Sequence, residues 1–72
     1  MFQVIVKFAG SLWFIENYNT AIALTKLEAD ASVMSHDDAF DLAYDLAYED
    51  AYALNVAGAY MINVDTLELT NV

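Results

Sequence analysis

Six carboxylates crowd into the fourteen positions from Asp37 to Asp50: Asp37, Asp38, Asp41, Asp45, Glu49 and Asp50. Such a group has three chemical uses. It can chelate a divalent cation, exchange protons with a substrate, or meet a basic surface. His36 precedes the run and extends the first option to a set of His36, Asp37 and Asp41. Neither the glycine-punctuated loop of an EF-hand nor an H-E-x-x-H helix is present, so no metal site is expected. There is no cysteine to supply a thiolate. A histidine base needs a nucleophile and an orienting partner, and neither stands at a recognisable spacing from His36. A paired acid and base also need a cleft, for which a 72-residue chain has little room. Gly10 and Gly58 stand alone, so no phosphate-cradling loop forms. The expectation is a protein without catalytic residues or a cofactor, whose carboxylates act by electrostatic recognition.

The element that positions these acids carries its own signature. "DLAYDLAYEDAYAL", Asp41–Leu54, repeats acid, leucine, alanine and tyrosine every four residues. On an α-helix at 100° per residue this repeat lays down parallel strips that drift slowly around the axis. Asp37, Asp41, Asp45 and Glu49 form a carboxylate strip, with Asp38 beside it in the first turn. Tyr44, Tyr48 and Tyr52 form a tyrosine strip. Phe40, Ala43, Ala47, Ala51 and Leu54 are expected to form the core strip, widened by Leu42 and Leu46. Ser35 is the expected N-cap, and Asp37 and Asp38 favour the positive end of the helix dipole. The helix is expected to run to about Leu54. Like charges four apart cost about 0.2–0.5 kcal/mol per pair, and no lysine interrupts the row. Six acids over roughly 20 Å of axis give about one charge per 3.5 Å, against about 3.4 Å per phosphate along a DNA strand. A groove built for a nucleic-acid backbone therefore fits this helix, with tyrosine as arginine-stacking and anchoring surface. The plainer reading of the same strip is a solvated face.

Elsewhere the period is two. Phe2, Val4, Val6 and Phe8 alternate with Gln3, Ile5 and Lys7, which predicts a strand. Gly10 permits a hairpin turn. In "SLWFIENY" Leu12 and Phe14 oppose Trp13 and Ile15, so both faces carry apolar bulk. "TAIALT" reads as an irregular third strand, "KLEAD" as a turn and "ASVMS" as an extended piece. "AYMINV" returns as a strand, and Asp65-Thr66 turns into "LELT". One α+β domain spanning 1–72 is expected: a small antiparallel sheet of three to five strands with one main helix on one face, in the order β-β-(β)-α-β.

Charge and apolar content bound the partners. Eleven acids against two lysines give −9, which opposes direct nucleic-acid binding and anionic membranes and attracts basic surfaces. No apolar run reaches a membrane span, and the cytoplasm is the expected location. Sixty per cent hydrophobic residues exceed what so small a core can hide. The alternative function is therefore a structural or assembly module that homodimerises through exposed apolar and tyrosine surface.

"DASVMSHDDAFDLA", residues 30–43, resembles a layout of small phage and mobile-element proteins: an aromatic hairpin, a short extended piece, a serine cap, an acidic first turn and an alanine-rich helix. Acidic members of that group are anti-CRISPR and other anti-defence inhibitors. The resemblance implies an inhibitor acting in a host cell on a nucleic-acid-handling complex such as a CRISPR effector, as a DNA mimic. No binding residue is carried over from the resemblance; the acids and tyrosines named above follow from helical spacing and charge alone.

Overall fold

The chain begins with a tight hairpin. Strand β1, Phe2–Phe8, pairs antiparallel with β2, Ser11–Asn17, in a register that sets Phe8 opposite Ser11 and leaves two residues in the loop. Both take positive φ, Ala9 at 53° and Gly10 at 80°. Two successive positive values define a type I′ turn, whose twist matches that of the flanking strands. Gly10 adopts this freely, whereas Ala9 places a Cβ in a region that disfavours it.

The structure is a computed structural model that describes residues 1–19, 21–49 and 54–72. Short strand β3, Ala23–Thr25, adds to β2 after a register shift between Ile15 and Asn17. Strands β4, Gly58–Asn63, and β5, Leu69–Asn71, extend the other side, giving one antiparallel sheet ordered β3-β2-β1-β4-β5. Between β3 and the helix, Glu28–Asp30 makes a single 3₁₀ turn. The following segment fills a fork between β1 and β2: Ser32 N–H donates to Ile15 O, and Met34 exchanges two backbone hydrogen bonds with Phe2.

Directly paired residues share a sheet face. One face therefore carries Val4, Val6, Trp13, Ile15, Ala59 and Met61, and the other Gln3, Ile5, Lys7, Leu12, Phe14, Tyr60 and Ile62. Helix α1, His36–Tyr44, lies on the first face and continues into a π-helical turn, Asp45–Glu49. Ile15, Met61, Val4 and Val6 are fully buried there, each contributing about 1.5–3 kcal/mol of transfer free energy. The helix meets them with Ala39, Leu42, Ala43 and Leu46. This is the expected α+β architecture, with five strands and one main helix.

Three sequence expectations change. Phe40 is 44% exposed and outside the core, and Ala39 takes the place assigned to it. The buried stripe is narrower than the repeat suggested, because Ala39 and Ala43 are small enough to press the backbone against β1 and β4. The helix is described as far as Glu49; its expected continuation to about Leu54 lies on residues outside the described ones, and Leu54 itself is not helical. Tyr52, Asp50 and Ala51 fall outside the described residues.

The hairpin yields the first prediction. Ala9→Asn places Asn-Gly, the favoured type I′ pair, at the turn. It should raise stability by about 1 kcal/mol, read as a higher urea midpoint at unchanged slope; an unchanged or lower midpoint would contradict the turn assignment.

Candidate interaction surface on the helix

The helix N-terminus forms as its sequence requires. Ser35 is extended at φ −66° and ψ 165°, and its Oγ accepts from the Asp38 backbone N–H at 3.2 Å. Asp37 and Asp38 occupy the first turn, where the helix dipole favours negative charge. His36 stacks edge-on against Phe2, with centroids 5.2 Å apart, and its Nδ1 lies 3.3 Å from Asp37 Oδ1.

The acids follow the outer side of the helix. Asp37, Asp38, Asp41 and Glu49 are exposed, and Asp45 is half-buried. They are spread along the helix instead of converging, and among the described residues no group of three His, Asp or Glu could hold a metal ion. Neither lysine reaches them. Lys26 Nζ donates to Leu12 O at 3.1 Å and sits 4.2 Å from the Trp13 ring centroid, while Lys7 lies on the far face of the sheet. Among the described residues, the Met1 amino group lies 3.6 Å from Asp65 and the His36 ring nitrogen 3.3 Å from Asp37. The carboxylate row thus lacks internal neutralisation by lysine.

The aromatic row lies directly beside it. Phe40 and Tyr44 stack with centroids 6.2 Å apart, and Tyr44 and Tyr48 tilt together at 4.9 Å. Tyr44 is 43% and Tyr48 63% exposed. Tyr48 Oη donates to Val72 O at 3.1 Å, which ties the row to the segment after β5. Phe40, Tyr44, Tyr48, Asn71 and Val72 line one shallow groove of about 320 Å³. On the other flank Tyr18, Asp38, Asp41, Leu42 and Asp45 line a second, of about 270 Å³.

The π-helical turn changes the sense in which the strips drift. A four-residue repeat advances about 40° per repeat on an α-helix of 3.6 residues per turn. A π turn bonds i to i+5 and holds more than four residues per turn, so the same repeat drifts backward there. Joined at Asp45, the two senses offset each other, and Tyr48 comes to rest beside Tyr44. Two contributors were missed in the sequence. Helical spacing with Ala43 and Ala47 puts Phe40 on the core strip, whereas the structure leaves it 44% exposed beside Tyr44. Tyr18 lies outside the helix, and no local spacing connects it to Asp38 or Asp41.

Compared with family models, curated proteins and solved structures, the chain matches none. The surface is therefore interpreted from its own chemistry.

Asp41 stands four residues from both Asp37 and Asp45. Asp41→Lys converts two repulsions into two attractions and should stabilise the fold by about 0.5–1 kcal/mol at low salt. The gain should vanish at high salt. Thermal unfolding at two salt concentrations measures it, and a destabilised variant would show that the carboxylate is held by unseen favourable contacts.

Proposed function

We propose that this protein is a non-catalytic binding and inhibitory protein whose acidic helix docks on a Lys/Arg-rich surface of a nucleic-acid-handling complex, such as a CRISPR effector, in the manner of a DNA mimic. The observation that carries this reading is the row Asp37, Asp38, Asp41, Asp45 and Glu49, which neither lysine neutralises and which Phe40, Tyr44 and Tyr48 flank. Repulsion along such a row is a cost to the folded chain. A cationic groove would relieve it on binding. The aromatic rings supply rigid contact area and faces on which arginine stacks.

The arrangement divides the work. The carboxylates steer encounter and set salt dependence, mostly through the association rate. The aromatic row and its groove supply the buried contact that slows release. No step of bond making or breaking is assigned to any residue. The competing reading, an assembly module closed over the tyrosine row, is favoured by the exposure of Phe40, Tyr44 and Tyr48. It would place those rings inside a dimer, out of a partner's reach.

The test uses a purified RNA-guided nuclease complex and its target DNA. The protein should reduce target binding at low salt and lose this effect steeply as salt rises. The triple variant Asp37→Lys, Asp41→Lys, Asp45→Lys should fold, as judged by circular dichroism, yet lose inhibition by at least tenfold. Equal inhibition by the triple variant, or none by the parent protein across a panel of such complexes, would overturn the reading.

A further inference from the structure

The face of the sheet turned away from the helix is apolar, and the helix does not cover it. Ile5, Phe14, Tyr60 and Ile62 are half-buried, and Leu12 and Leu69 are 57% and 55% exposed. At one end of this face, Ile5, Lys7, Leu12, Tyr60 and Leu69 enclose a hollow of about 320 Å³. At the other end, Gln3, Glu28, Ala29, Ala31, Val33 and Val64 enclose one of about 530 Å³. Gly58 adds to the exposed ring surface, since Tyr60 Oη lies where a Cβ on Gly58 would come within 3.3 Å of it.

The polar groups at the two ends are complementary. Lys7 is exposed and has no carboxylate partner among the described residues. Gln3 is only 4% exposed. Its Nε2 donates to Glu28 O at 3.1 Å, but its Oε1 is buried without a hydrogen-bond partner. A buried orphan acceptor of this kind costs about 1–3 kcal/mol. Gln3 and Lys7 stand two residues either side of Ile5 on the central strand and project from the same face.

We propose that this face is the interface of a symmetric homodimer, with its two-fold axis lying between the stacked sheets and crossing the strands at Ile5. A two-fold contact pairs residue i with j and j with i. This axis reverses the strands, so Lys7 of one copy meets the hollow holding Glu28 and Gln3 of the other, twice over. An axis parallel to the strands would instead bring the two Lys7 side chains together. Face-to-face sheets pack about 10 Å apart with interdigitated side chains, which suits Ile5, Leu12, Tyr60 and Leu69. A chain of charge −9 repels its own copy through most of its surface. The two central strands of this face, β1 and β4, carry no acid, and their one charge is Lys7 at the edge of a hollow; Glu16 is the one acid of β2. The dimer leaves both acidic helices on the outside and is independent of what they bind.

Sedimentation equilibrium from micromolar to millimolar chain tests the proposal. The parent protein should reach twice the 8.0 kDa chain mass and hold that mass at high salt, where docking of the acidic strip is lost. Leu12→Asp should raise the dimer dissociation constant at least tenfold, as should Lys7→Glu. The double variant Lys7→Glu, Glu28→Lys should restore the parent value. All three positions, Lys7, Leu12 and Glu28, are exposed, and circular dichroism verifies the fold of each variant. A monomer throughout the range would overturn the proposal and leave the face to an unrelated partner. A dimer indifferent to Leu12→Asp would overturn it in favour of the tyrosine row. Failure of the charge exchange to restore association would overturn the axis.

Discussion

The burial of a four-residue stripe, Ala39, Leu42, Ala43 and Leu46, against Val4, Val6, Ala59 and Met61 governs the surface chemistry of this protein. A helix has one azimuth about its axis. Once that stripe faces the sheet, every other row has its direction assigned. The stripe is narrow because two of its members are alanines, so the helix sits close to the strands. A wide arc remains outside and holds Phe40, the tyrosines and the acids together. Larger residues at 39 and 43 would lift the helix from the sheet and separate the aromatic row from Val72.

A strict repeat of four suits neither helical geometry alone. It overruns the α-helix and falls short of the π-helix. The chain switches from one to the other at Asp45, and Tyr44 and Tyr48 meet across the switch with centroids 4.9 Å apart. At the junction the Asp45 N–H is shared between the carbonyls of Asp41 and Leu42, so the α-helical segment closes on a bifurcated bond of α and 3₁₀ type. π-helical turns are rare in proteins and occur frequently at functional sites. Here the row at the turn is the one that pairs aromatic rings with carboxylates.

The two layers also sort charge. The acids of the helix lie on one side of the molecule, and the apolar sheet face with Lys7 on the other. Lys26 is held at Leu12 and Trp13, so neither cation crosses to the helix. Mutual repulsion among the helix acids and exposure of the sheet face are both costs to the isolated chain. The fold tolerates them because Ile15, Met61, Val4 and Val6 are buried without residue.

The sequence by itself determined the elements whose signals are local. Alternation along Phe2–Phe8 gave β1, Gly10 marked the hairpin, Ser35 marked the helix start, and the tetrad gave the acidic and tyrosine rows. Each follows from backbone geometry within a few residues. Tertiary structure alone decided what depends on the neighbour across a gap. Phe40 was legible as apolar, but only the close seat of Ala39 and Ala43 on the sheet excludes it from the core. Tyr18 joins Asp38, Asp41 and Asp45 because β2 ends beside the helix, a juxtaposition without a sequence period. Alternation places Gln3 on the same side of the strand as Ile5 and Lys7; that it is buried there follows from the chain around Glu28–Ala31, which returns over that end of the sheet. Local rules fix which way a side chain leaves its own backbone; what it then meets is set by packing between segments distant in the chain.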